Sequence, residues 1–477
     1  DGWIGDVQSF SLDSSTGEVN STSEWSAAEK LEEKSWDERI IASYDGSDGI
    51  QFNFSDLSTS QKNALSTNNT KAQSMLEYLR GNSANEEQNG GVLRDRSQKL
   101  LDIVHSSPVH KGNVLYTSAN DGFLHAFDAE TGEELFAYMP NLILGNHFFD
   151  SRLDDLTEPD YAHKYFVDLT PTIRSGVELS SGNKTILVGG LGLGGKGYFG
   201  LDITNPSDIQ DEATLAGRVM WEFPTTFDNS TQVRNLGYSL SKPEVVRTHD
   251  PNYPWLVFFG NGYNSENGNA VLYALDPEYD YGSVVKMIDT GVGNCNGLSS
   301  TRAIDVDYDG VADYIYAGDL KGNLWKFDIT STSQTDWGVA YKVSGNNQPV
   351  FQAQGPGGTT QPITTRPDIM PHCEKHGHLV LFGTGMYLSM DDILDTSTQT
   401  MYGVWDYGDD VDNEEYLGTF QRGSTYVLSN QPESVNLLQQ EQIDWVNQNN
   451  TEMRLVSNNT IDWTVTTEDS YGICNSG

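Results

Sequence analysis

Five times along this chain an apolar strand ends on a small residue, turns through glycine or polar residues, and is followed by a strand that closes on aspartate. Val114-Leu115-Tyr116-Thr117-Ser118 leads through Asp121-Gly122 to Phe123-Leu124-His125-Ala126-Phe127-Asp128, with Thr131-Gly132 after it. TILVGG ending at Gly190 leads to Tyr198-Phe199-Gly200-Leu201-Asp202, and WLVFFG ending at Gly260 leads to Val271-Leu272-Tyr273-Ala274-Leu275-Asp276. YIYAG ending at Gly318 leads to Leu324-Trp325-Lys326-Phe327-Asp328, and LVLFG ending at Gly383 leads to Met401-Tyr402-Gly403-Val404-Trp405-Asp406. A hairpin of this kind cannot bury its own apolar faces, so repeated copies must stack on one another. Radial stacking of antiparallel sheets is a β-propeller. Gly189, Gly260, Gly318 and Gly383 are spaced 71, 58 and 65 residues apart. That exceeds the roughly 40–50 residues of a compact blade, so the loops between strands are expected to be long.

The opening, Gly5-Asp6-Val7-Gln8-Ser9-Phe10-Ser11-Leu12-Asp13 with Thr16-Gly17, repeats the pattern. Between it and the next hairpin, residues 25–101 differ. Ser26-Ala27-Ala28-Glu29-Lys30-Leu31 and Gln73-Ser74-Met75-Leu76-Glu77-Tyr78-Leu79 have helical spacing, which predicts a helical insertion or cap. The polar run 82–91 is expected to be a loose loop, and 434–447 reads as another short helix. The expectation is one all-β propeller domain over 1–477, carrying this insertion.

The sharpest local motif is Asp305-Val306-Asp307-Tyr308-Asp309-Gly310-Val311-Ala312-Asp313, which reads D-x-D-x-D-G-x-x-D. Carboxylates at alternate positions of a tight loop repel one another unless a hard cation sits between them, and Gly310 supplies the turn. Tyr316 occupies the position where an EF-hand has its bidentate glutamate, so Asp313 would take that role. A strand, Tyr314-Ile315-Tyr316-Ala317-Gly318, follows in place of a helix. One calcium ion held by Asp305, Asp307, Asp309 and Asp313 at the mouth of a hairpin is the expectation.

Charge narrows the partners. With 28 basic and 68 acidic residues the formal net charge is −40, which argues against nucleic acid and anionic membranes as general partners. It suits an exposed, saline setting where cations screen self-repulsion. No apolar run reaches membrane-spanning length. Because the chain starts at Asp1, it is expected to be part of a longer product whose targeting segment is not seen.

Other motifs carry less. Gly190-Leu191-Gly192-Leu193-Gly194-Gly195-Lys196-Gly197 satisfies G-x-G-x-x-G, but Tyr198 to Ile203 alternates like a strand, and a phosphate loop needs a helix there. A glycine-rich hairpin turn is expected. His372-Cys373-Glu374-Lys375-His376-Gly377-His378 holds transition-metal ligands without a second pair at a usual spacing and reads as a surface turn. Asp409-Asp410-Val411-Asp412-Asn413-Glu414-Glu415 lacks a turn glycine and reads as a solvated loop. Cys295, Cys373 and Cys474 allow one disulfide of undetermined pairing and a leftover thiol. Neither a nucleophile-elbow serine nor H-E-x-x-H occurs, so no catalytic residue is assigned.

Taken together, several stretches resemble the type IV pilus tip adhesins of the PilY/PilC family. They are Asn120-Asp121-Gly122-Phe123-Leu124-His125-Ala126-Phe127, Tyr165-Phe166-Val167-Asp168, Leu187-Val188-Gly189-Gly190, Arg94-Asp95-Arg96 with Ser106-Ser107-Pro108-Val109, Phe382-Gly383-Thr384-Gly385-Met386-Tyr387-Leu388, and the run from Asp305 to Asp328. The resemblance implies a modified seven-bladed propeller with an incomplete last blade, exported to the bacterial cell surface or pilus tip and associated there with the outer membrane. It implies one calcium ion bound by Asp305, Asp307, Asp309, the Val311 carbonyl and Asp313. It also implies pilin or minor pilin subunits as partners, host or abiotic surface ligands, support of pilus assembly against retraction, adhesion and twitching motility. The integrin-binding R-G-D of some members is missing; Arg80-Gly81-Asn82 and Arg422-Gly423-Ser424 are the nearest strings. Two alternatives share the blade grammar. A quinoprotein-like enzyme would need adjacent cysteines, which are absent, and an integrin-α-like calcium module would repeat the acidic loop, which occurs once.

Overall fold

The computed structural model describes residues 3–144, 152–226, 228–278, 283–355, 358–372 and 377–406, with four short strands beyond residue 424. These fall into two compact units: Asp1–Asp313 with Ile329–Asp336, and Tyr314–Asp328 with Trp337–Gly477.

Each repeated hairpin is present. In the first unit Val114–Ser118 pairs antiparallel with Leu124–Asp128, Gly182–Gly190 with Tyr198–Asp202, and Trp255–Gly260 with Val271–Leu275. The latter two hairpins grow into four-stranded antiparallel sheets. Thr172–Leu179 and Val219–Phe223 flank one, and Glu244–Arg247 and Val284–Asp289 flank the other. The closing aspartate has a structural job. Asp13, Asp128, Asp202 and Asp276 each accept, on Oδ1, the N–H two residues on, at 2.8–2.9 Å. These are Asx-turns that reverse the chain out of the strand.

The second unit repeats the arrangement. Tyr314–Gly318 pairs with Asn323–Asp328, and His378–Gly383 lies between Asp368–Pro371 and Met401–Asp406. Asp406 is buried against the Lys326 ammonium at 3.2 Å and accepts the Tyr316 hydroxyl at 2.6 Å. The Tyr341 hydroxyl, at 2.5 Å, reaches its other oxygen.

Residues 25–101 hold the helices Ala27–Glu33, Thr59–Leu65 and Asn69–Arg80. The segment also contributes strands: Ile41–Tyr44 pairs in parallel with Glu134–Tyr138 and extends that sheet to six strands. The run 82–91 is ordered rather than loose, because buried Glu86 receives Arg96 Nε at 3.0 Å. The helix expected over 434–447 is corrected. Ser434–Asn436 and Gln442–Val446 are strands, the second paired with Glu452–Val456. Ile443, Trp445 and Val446 favour a pleated surface over a helix.

A buried ionic chain fastens the insertion to the sheet. Arg39 grips Glu134 with Nε at 2.7 Å and Nη2 at 2.8 Å, while Glu134 also meets His125 Nδ1 at 2.8 Å. His125 Nε2 reaches Asp121 at 3.0 Å. Arg39 and Arg80 each donate to the other's main-chain carbonyl at 2.9 Å, and Arg80 Nη1 meets Glu212 at 2.6 Å. Burial alone would strip the His125 proton, but Asp121 and Glu134 outweigh it and push the imidazole up to about 9. Glu134 is held well below the usual range: burial opposes ionisation, but Arg39 and His125 overcome it.

Two predictions follow from these buried groups. Arg39→Ala removes the bidentate partner of buried Glu134 and leaves it only the His125 imidazolium that Asp121 also shares, so chemical denaturation should show a loss of about 3–5 kcal/mol. A loss below about 1 kcal/mol would contradict the anchoring role. Burial also pushes Glu222 up to about 8 from 4.5, despite donors from the Tyr138 hydroxyl at 2.6 Å and the Asn141 N–H at 2.7 Å. The folded protein keeps a proton there that the unfolded chain releases, so stability falls as pH rises from 4.5 towards about 8. Glu222→Gln should flatten that slope in denaturation curves taken across the window.

Candidate metal centre

The acidic loop leaves the strand Arg302–Ile304 and is pinned at its far end by two main-chain bonds. Asp313 N–H donates to Ile304 O at 2.8 Å, and Ala312 N–H donates to Arg247 O at 2.9 Å, on the edge strand Glu244–Arg247. Between the pins the chain folds on its own carboxylates. Val306 N–H donates to Asp313 Oδ2 and Gly310 N–H to Asp305 Oδ2, each at 2.7 Å. Gly310 has φ 88°, a region open to glycine. Tyr308, at φ 63°, is 78% exposed and holds the same left-handed region at some cost.

This winding brings one carboxylate oxygen from each of Asp305, Asp307 and Asp313 within 4.8 Å of one another. At that spacing, like charges repel by roughly 3–4 kcal/mol per pair at an effective dielectric of about 20. Asp305 Oδ1 is buried with no hydrogen-bond partner, an arrangement that costs free energy unless something positive meets it. The donors are all hard oxygens, which suits a cation that takes six to eight oxygen ligands and not a thiolate- or imidazole-seeking metal. The three residues can therefore hold a metal ion.

The expected set also named Asp309 and the Val311 carbonyl. Asp309 is exposed, and its Oδ1 accepts the Val311 N–H at 2.7 Å; its own N–H donates to Asp307 Oδ1 at 3.2 Å. Asp309 thus shapes the turn and is not in the three-carboxylate group. Val311 is half-buried beside it. Sequence reasoning missed His249, whose Nε2 lies 2.9 Å from Asp313 Oδ1 and orients that carboxylate from behind. No local spacing signals a residue so far away in the chain.

The remaining motifs resolve plainly. Residues 190–197 connect two strands of one sheet, and a Cβ at Gly194 would sit 2.0 Å from Phe166 O, so close packing explains that glycine. Arg80 of Arg80-Gly81-Asn82 is buried in the ionic chain. Cys295 is exposed and free. Residues 373–376, 409–415, 422–424 and Cys474 lie outside the described residues.

Comparison with known proteins is consistent across sequence and structure. A family model described as the PilY1 beta-propeller domain matches residues 103–441. The type IV pilus biogenesis factor PilY1 of Pseudomonas aeruginosa strain UCBPP-PA14 is 32% identical, over 97% of this chain and 42% of its own length. A PilY1 homolog from Xylella fastidiosa is 37% identical over 67% of this chain and 21% of its own length. The crystal structure of the P. aeruginosa PilY1 C-terminal domain aligns with a TM-score of 0.56 at 31% identity, covering 75% of this chain and 68% of that one. The chain thus spans about two fifths or less of the curated relatives named here. These likenesses bear out the all-β propeller class.

Asp313→Ala removes the acceptor of Val306 N–H and the partner of His249. Hydrogen exchange should then quicken at Val306 while Ala312, bonded to the main chain of Arg247, stays protected. Equal exchange in variant and parent would show that the carboxylate does not hold the loop.

Proposed function

The chain belongs to the PilY1 β-propeller family, and on that footing we propose that it is a calcium-binding, non-enzymatic module of a type IV pilus biogenesis factor. In this reading it acts at the pilus tip on the cell surface, engages pilin or minor pilin subunits, shifts the balance between extension and retraction, and supports attachment and twitching. The observation that carries it is the convergence of Asp305, Asp307 and Asp313, with the buried Asp305 Oδ1 left without a partner.

Calcium would supply the positive charge that offsets this repulsion. The chain's own residues do the rest. Asp305, Asp307 and Asp313 bind, Gly310 allows the turn, His249 orients Asp313, and Ala312 ties the loop to the sheet edge at Arg247. Because the far end of the loop is bonded back to Ile304 and across to Arg247, its ordering would reach the strands Arg302–Ile304 and Glu244–Arg247. That gives a local charge event a way to bias binding of a pilus subunit.

Calorimetric titration with calcium should show at least tenfold weaker binding for Asp305→Asn and Asp313→Ala, with the folded state intact by circular dichroism. Placed in the full-length gene, either change should reduce piliation and twitching. Undiminished calcium affinity in Asp305→Asn would remove the site. Lost affinity with normal piliation would remove the link to pilus control.

A further inference from the structure

Away from the metal loop, the first unit contains a cleft of about 570 Å³, within the size range of small-molecule sites. Its walls come from the turn before Ile41, the chain after the strand Gly49–Gln51, the helix Asn69–Arg80 and the start of the helix Glu212–Ala216. The insertion thus makes most of it. The floor is the ionic chain already described, where Arg39 and Arg80 are committed to Glu134 and Glu212.

We propose that this cleft binds a neutral saccharide unit. Trp36 and Phe54, both half-buried, supply aromatic surface, beside Ile40 and Leu76. Lys62 lies over the Phe54 ring at 4.8 Å, and Trp36 is the second aromatic ring of the lining. An indole face suits the C–H side of a pyranose ring. Gln51, Asn53, Gln73 and Gln210 add planar carboxamides. Gln73 and Gln210 commit their amide nitrogens to Glu77 and Ser207 O, and Asn53 commits its oxygen within its own turn, so each has its other amide atom for a sugar hydroxyl. The Gln51 carboxamide and the Trp36 indole N–H have no hydrogen-bond partner among the described residues. The lining acids disfavour an anionic ligand. Asp211 caps its helix through Thr214 N–H, and Glu77 takes the amides of Gln73 and Asn82. With Asp37 and Glu38 they leave the lining acidic, so an acidic sugar is repelled, and the choice of a sugar over an organic cation rests on the aromatic ring and the carboxamides.

The test uses purified protein with methyl glucoside, methyl mannoside, methyl galactoside and N-acetylglucosamine at millimolar concentration, read by ligand-detected saturation-transfer NMR and tryptophan fluorescence. At least one should bind, Trp36→Ala and Gln51→Ala should each weaken it tenfold or more, and calcium binding should be unchanged in both variants. Sialyllactose should not bind and spermidine should not compete. Absence of binding by all four sugars would overturn the proposal. So would binding that survives both substitutions, or displacement by spermidine. None of these outcomes bears on the metal site, since Trp36 and Gln51 are not part of the loop.

Discussion

A four-stranded sheet that is apolar on both faces has no stable existence alone, and everything else in the first unit depends on how such sheets cover one another. Val188, Tyr198 and Trp221 from one sheet share a buried cluster with Val257, Phe259 and Tyr273 from the next. Phe259 and Tyr273 stack at 5.3 Å between ring centroids, nearly parallel, and Tyr198 lies 4.1 Å from Phe259. Rings of this size need space that side chains on adjacent strands would fill. A Cβ at Gly189 would come within 2.2 Å of the Phe199 ring, and one at Gly200 within 2.5 Å of the Trp221 ring. The small residues of the repeat thus make room for its aromatic ones.

Aspartate and glutamate serve three separate ends in this acidic chain, and environment alone separates them. At the hairpin ends, as in Asp128, a half-buried carboxylate takes up N–H groups of a turn. Inside the sheet, Glu134 is neutralised by Arg39 and His125, so the desolvation of each charge is offset by the others. In the 305–313 loop three carboxylates face one another with only the His249 imidazole set against one of them, and one of their oxygens is buried unmatched. Only the last arrangement asks for something from outside the chain.

The insertion over 25–101 is more than a cap. By adding Ile41–Tyr44 to a sheet edge in parallel, it covers an edge that would otherwise be open to pairing with another chain. Its helices then bury Met75, Leu76 and Leu79 in the same core as Phe123 and Phe136. The cleft above Arg39 and Arg80 is a by-product of that docking, since no single segment forms more than one wall.

Much of this was legible in the residues themselves. Strand, turn and closing aspartate are written in neighbouring positions, because pleat period and Asx-turn geometry act over two to five residues. The acidic loop was legible for the same reason, down to the turn at Gly310. Strand or helix at 434–447 was misread because polar residues dilute the period there, and pairing with Glu452–Val456 settles it. Tertiary structure alone decided that Asp309 shapes the turn while Asp305, Asp307 and Asp313 converge, that His249 stands behind Asp313, and that Arg39 finds Glu134. The last two contacts join residues 64 and 95 positions apart, and their geometry exists only once sheets and helices have packed.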